Sequence, residues 1–172
     1  MNVTFWQRID LAARNVTPFV ISVMLVLATV LPISAPGLNT IAPAFALMSL
    51  YHWAIYRPDL MPFSAVFVVG LLHDLLTGSP VGLFTLVFLT VYGIAVTQRR
   101  FIAGKSFLIY WLGFVMLALG AAFESWVLAS IWHMTVLDPR PVVFQFLVAV
   151  GMFPLLAWML TRWQQAVLGE LP

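Results

Sequence analysis

The sequence predicts an all-α membrane protein, a bundle of six transmembrane helices forming one integral membrane domain over residues 1–172. Three observations carry that expectation. The chain is 63% hydrophobic and only 8% charged, where a soluble domain carries about 25% charged residues. Its mean hydropathy is +1.03. Apolar runs recur at about 16–32, 40–57, 62–77, 81–98, 107–132 and 142–161, close to the roughly 17–25 residues that a spanning helix needs. A helix suits that solvent because it bonds every backbone polar group within its own segment. Fourteen Phe and seven Trp fit aromatic interface belts. With no cysteine there are no disulfides and no thiolate metal ligands. A net charge of +2 without a dense basic cluster gives nucleic acid no groove to bind.

Residues 2–15 place Phe5, Trp6 and Ile9 among Arg8, Asp10 and Arg14. They read either as a short interfacial helix with an Asp10–Arg14 pair or as a frayed tail. Arg8 and Arg14 ahead of the Val16–Leu31 run imitate a signal sequence, but no small-x-small cleavage site follows. The run is therefore expected to be retained as the first span. The uncharged, Pro-rich stretch 31–43 reads as an outer loop. Span two ends in "YHWAIYRPDLMPF", 51–63, where Tyr51, Trp53 and Tyr56 read as an aromatic anchor at the inner interface and Arg57 as a snorkelling cation. Pro58 and Pro62 end one helix and start the next.

Spans three and four are short. A single helix over 62–98 would be about 55 Å long, well beyond a hydrocarbon core of roughly 30 Å. The break is therefore expected near Gly78-Ser79-Pro80, either as a tight turn between two spans or as a re-entrant hairpin. Orientation follows from charge. With the N-terminus inside, the inner segments hold seven of the eight Lys and Arg residues and the outer ones hold only Arg140. That predicts N-in, C-in.

Two carboxylates, Asp74 and Glu124, fall within apolar runs, where an ionised group costs about 2.5–3.5 kcal/mol near a helix centre. Gly70, Asp74 and Gly78 share a helical face. On the structural reading Asp74 accepts backbone N–H groups from the Gly78–Gly82 turn and ties it shut. On the functional reading it meets a ligand or partner at the outer mouth. If hydrogen bonding alone matters, Asp74→Asn should be mild and Asp74→Leu damaging. On span five, Gly113, Gly120 and Glu124 share a face, and Ala121, Ser125 and Ala129 form a small-residue stripe beside it. Such a stripe suits tight helix packing and places Glu124 inside the bundle, protonated or bonded to a hydroxyl. No chain of titratable residues completes a proton relay around it.

His52, His73 and His133 lie on different spans and form no metal-binding spacing. His73, Asp74, Glu124, His133 and Asp138 all fall in the outer half, as an intramembrane hydrolase or metal site would require, though polar groups near an interface explain them equally. No nucleophile-elbow, phosphate-loop or dinucleotide motif is present.

Tyr51-x-Trp53, Arg57-Pro58-Asp59 and Pro62, followed by Gly70-Leu71-Leu72-x-Asp74-x-x-x-Gly78-x-x-x-Gly82, together resemble the rod shape-determining protein MreD family. The motif covers about 51–83, and hydropathy matches along the rest. His73 departs from the family pattern, which is usually apolar there, so its role is open. The resemblance implies a non-enzymatic inner-membrane scaffold of bacterial cell-wall elongation, without cofactor, catalytic or metal residues. It implies association with MreC, and directly or through it with a class B penicillin-binding protein, the glycosyltransferase RodA and MreB filaments. It also implies a six-helix fold similar to the S components of energy-coupling-factor transporters. Tyr51, Trp53, Arg57, Pro58, Gly70, Asp74, Gly78 and Gly82 are the motif residues that would shape the bundle and its partner surface. A small-molecule-binding transporter subunit is the alternative, with an outward polar pocket lined by His73, Asp74, Glu124 or the 31–43 loop.

Overall fold

The computed structural model describes residues 5–28 and 38–168. These form six α-helices: α1 (Phe5–Ala28), α2 (Leu38–Tyr56), α3 (Phe63–Thr77), α4 (Leu83–Ile102), α5 (Phe107–Trp132) and α6 (Arg140–Leu168). A single 3-10 turn, Pro58–Leu60, joins α2 to α3.

The boundary expected at residue 15 is not a break. Residues 5–28 form one helix with Pro18 inside it. A fall in polarity along a helix changes its surroundings, not its backbone, and Leu11-Ala12-Ala13-Arg14 are all strong helix formers. Residues 38–43 of the expected outer loop are helical, while 31–37 lie outside the described residues.

α1, α3, α4, α5 and α6 follow one another around α2 with neighbours packed, and α2 itself packs on α1, α4 and α6. Ten consecutive residues of α2, Ala46 to Ile55, are consequently buried. A helix apolar on every side belongs in the middle of a bundle. This corrects the reading of the aromatic anchor. Tyr51 and Trp53 are 0% exposed, and only Tyr56 of that trio reaches the surface. Three aromatics close to a helix end imitate an interface belt, but the neighbours of α2 enclose that end as well.

The core is apolar, but large apolar residues also cover the surface and a few polar groups are enclosed. Ser22, Ser49, His52, His73, Asp74 and Thr85 are buried, whereas Phe67, Leu86, Met116, Phe123, Leu147, Leu155 and Trp158 are exposed. An apolar surface this extensive marks contact with another apolar phase. The buried hydroxyls are paired, as low polarity demands: Ser22 and Ser49 join α1 to α2 at 2.9 Å. Phe107–Trp132 and Arg140–Trp163 are long and apolar enough to cross a membrane, and Thr17–Ala28 and Phe63–Thr77 are shorter apolar helices.

α3 and α4 form the tightest pair. The connection between them contains two left-handed residues, Gly78 (φ 67°) and Gly82 (φ 100°), a conformation that costs glycine nothing. Along the pair, Gly70 lies directly on the α4 backbone, where an added Cβ would stand 2.6 Å from the Thr85 Cα. Gly93, by contrast, has only ordinary contact at 3.7 Å from a Phe63 ring carbon. Gly70→Ala should therefore destabilise the purified protein by about 1–3 kcal/mol, the usual cost of overpacking. Gly93→Ala should leave its thermal melting unchanged or slightly raised. Equal melting of the two variants would contradict this packing.

Candidate functional site

The motif residues converge on two places, one at each end of the α3–α4 hairpin. At the turn, the Asp74 carboxylate accepts five hydrogen bonds. Oδ1 receives the Ser79 hydroxyl at 3.0 Å and the Phe84 N–H at 2.9 Å. Oδ2 receives the Gly82 N–H at 2.9 Å, the Thr85 N–H at 3.2 Å and the Thr85 hydroxyl at 2.8 Å. Asp74 is fully buried.

A helix begins with N–H groups that have no partner within it. They are usually met by a side chain just upstream, yet the N-cap of α4 is Gly82, which has no side chain to offer. Asp74, eight residues earlier and on a different helix, fills the role. A carboxylate at a helix N-terminus is also favourably placed in the helix dipole. Asp74 thus caps α4 from the last turn of α3. Gly78 is not on the α3 face expected for it but is the left-handed residue that ends α3.

His73, next to Asp74, is buried with its ring edge-on to Phe84 (4.6 Å between centroids) and Phe88 (5.3 Å). Neither ring nitrogen has a hydrogen-bond partner. The imidazole packs as a wedge between α3 and α4.

The other end of the hairpin is closed by Tyr92. Its hydroxyl donates to the Met61 carbonyl and, at 3.3 Å, to that of Pro58. Arg57 and Pro58 open the 3-10 turn there, and the Arg57 N–H bonds the Trp53 carbonyl at 2.9 Å. Tyr51 donates to the Tyr110 carbonyl at 2.9 Å and stacks on its ring at 5.3 Å. The Tyr110 hydroxyl meets His52 Nδ1 at 2.9 Å. This polar–aromatic core ties α2 to α5. Trp53 is buried beside it, and its indole N–H has no partner.

The span-five residues separate. Gly113 is internal, with the Tyr51 hydroxyl 2.6 Å from where its Cβ would be. Ala121 is 5% exposed and belongs to the core. Gly120 has nothing within 4 Å of its would-be Cβ. Glu124 is half-buried, and its Oε1 accepts the Thr90 hydroxyl at 3.1 Å. The expectation of a fully internal Glu124 is therefore corrected: it borders an open groove of about 400 Å³ between α4 and α5, shared with Thr90, Ile94, Gln98, Met116 and Gly120. Ser125 and Ala129 are half-buried at the α5–α6 side, and the Ser125 hydroxyl is spent on the Ala122 carbonyl at 2.9 Å. Among the described residues, no three His, Asp or Glu side chains stand together as a metal site would require.

A family model described as rod shape-determining protein MreD matches residues 12–163, nearly the whole chain. The chain belongs to the MreD family. No curated protein and no solved structure matches it. Membership gives this MreD-family chain a part in rod-shape determination and makes it a membrane protein. Sequence reasoning missed Thr85, Phe84, Tyr92 and Tyr110, since each matters through a contact formed only once helices pack. Thr85 alone carried a signal, as a hydroxyl in the first turn of an otherwise apolar span.

The geometry revises the expected Asp74 series. All five partners of Asp74 are donors. Ser79 and Thr85 can turn their hydroxyls to accept, but backbone N–H groups cannot. Asparagine, with its oxygen at the Oδ2 position, loses the Phe84 bond alone. Leucine orphans three backbone donors, at about 1–3 kcal/mol each. Thermal melting in a lipid-like detergent should rank wild type above Asp74→Asn and Asp74→Asn above Asp74→Leu, with clear gaps. An asparagine variant that melts like wild type would contradict the assignment.

Proposed function

We propose that this MreD-family chain is a non-enzymatic scaffold of lateral cell-wall elongation. It works as a six-span inner-membrane bundle that holds the single transmembrane helix of an MreC-like partner. Through that partner, or directly, it connects to a class B penicillin-binding protein, RodA and MreB filaments. The seven-to-one distribution of Lys and Arg supports cytosolic termini. On that topology the α3–α4 turn faces outward and the Arg57, Arg99, Arg100 and Lys105 end faces the cytosol. The likeness to transporter S components rests on the family and on the number of helices.

The observation that carries this reading is the α4–α5 groove. Helices associate in lipid by close backbone approach at small residues and by hydrogen bonds between polar side chains. Gly120 offers open space for such an approach. One turn away, Glu124 has only Thr90 as a partner among the described residues. A carboxyl facing hydrocarbon is costly, and an incoming helix that carries a hydrogen-bond donor at this depth relieves that cost. The pocket expected of a transporter subunit has different support. His73 and Asp74 are enclosed within the α3–α4 hairpin, while Glu124 opens to the α4–α5 groove.

Gly120→Leu is the clean test, because a Cβ at this position meets nothing within 4 Å. Ala121→Leu would instead strike the core and report on folding. Gly120→Leu should reduce recovery of the MreC-like partner in co-purification several-fold, while melting temperature and membrane insertion stay at wild-type values. Undiminished recovery of the partner would rule out this groove as its seat.

A further inference from the structure

A second opening lies between α5 and α6, at the end that carries the α3–α4 turn. On the outer face of the pair is a groove of about 300 Å³ walled by Leu119, Phe123, Trp126, Val143 and Phe146. Its walls are apolar, and Phe123 and Val143 are 66% and 52% exposed. On the inner face is a cleft of about 410 Å³ whose walls include Ser79, Asp138 and Gln145. A deeper void of about 40 Å³ extends the cleft toward Leu47 of the central helix. The three spaces adjoin one another. Val142 borders all of them, Ala122 borders the groove and the deep void, and Trp126 borders the groove and the cleft. Together they line α5 and α6 with a slot that is apolar outside and that carries Ser79, Asp138 and Gln145 on otherwise apolar inner walls.

We propose that this slot binds a membrane lipid, with an acyl chain in the outer groove and a hydrogen-bonding head group in the cleft. The polarity profile selects an amphiphile. An apolar solute would leave the Gln145 amide, half-buried and without a hydrogen-bond partner among the described residues, facing hydrocarbon. A polar solute would leave the groove unfilled. A volume of 300 Å³ holds about ten groups the size of water, which suits a stretch of alkyl chain. At the mouth, Asp138 is 61% exposed and its Oδ1 accepts the Arg140 N–H at 3.0 Å. The Asp138 carboxylate and the Arg140 guanidinium, 4.0 Å apart, suit a zwitterionic head group. This site is separate from the α4–α5 groove, and the scaffold reading does not depend on it.

The test uses the full chain in vesicles of phosphatidylethanolamine and phosphatidylglycerol that contain a small fraction of phosphatidylethanolamine with a diazirine on its acyl chain. After irradiation, labelled residues are mapped by mass spectrometry. Labelling at Phe123 and Val143 should exceed that at Leu155 and Phe67, which are equally lipid-facing, by at least threefold. Ala122→Phe fills the passage and Gln145→Leu removes the amide. Each should bring labelling at Phe123 and Val143 down to the level at Leu155, with labelling at Leu155 unchanged. Even labelling over all exposed positions overturns the proposal, as does an enrichment that survives Gln145→Leu. The glutamine variant decides the matter if Ala122→Phe fails to fold.

Discussion

The bundle depends on one carboxylate meeting the bare N-terminus of a neighbouring helix. Asp74 supplies from α3 what Gly82 cannot supply at the start of α4. In an apolar medium the first N–H groups of α4 would otherwise be orphaned, since no water replaces the missing partner. The same contact offsets the cost of the carboxylate, which would be prohibitive without donors around it. Each group makes the other tolerable, and together they set the turn. Thr85 is then held from two sides, by the Asp74 oxygen and by the missing side chain of Gly70. Tyr92 closes the far end of the hairpin on Met61 and Pro58. A pair of short helices thereby becomes a rigid unit on which α2 and α5 pack.

Around that unit a few polar groups are enclosed in an apolar core, and large apolar residues also cover the outside. This is the arrangement expected where the solvent is hydrocarbon and burial of apolar area gives helices little reason to associate. What holds them is specific: the Ser22–Ser49 pair, the Tyr51–Tyr110–His52 core and the Trp111 indole donating to the Val150 carbonyl at 3.1 Å. The central helix α2 is tied in two directions, by Ser49 to α1 and by Tyr51 and His52 to Tyr110 of α5.

How much of this was legible depends on how local the physics is. The six helices and the break at 78–82 could be read because hydropathy, proline and glycine act within a few residues. The partners of Asp74 were near in sequence, so the cost of an isolated carboxylate already pointed to the turn that follows it, though the donors extend beyond it to Phe84 and Thr85. Tyr51 was misread because its surroundings are supplied by Tyr110 and Phe114 of α5 and Phe153 of α6, the nearest of them 59 residues away. Gly113 and Glu124 do share a helical face, yet Tyr51 and Ile102 cover one end of it and leave the other open. Which neighbour lies over which segment is not written in the periodicity of a single helix. The slot between α5 and α6 has the same origin, in the spacing of two helices and not in the residues of either.

The most direct measurement is hydrogen exchange at the start of α4, resolved to single amides in lipid nanodiscs. First-turn amides of a helix normally exchange fast because nothing within the helix accepts them. Gly82, Phe84 and Thr85 should instead exchange at least a hundredfold more slowly than Phe107 and Leu108 of α5, whose N-cap Ser106 makes no side-chain bond. Rates at Gly82, Phe84 and Thr85 as fast as those at Phe107 and Leu108 would mean that Asp74 does not hold the turn.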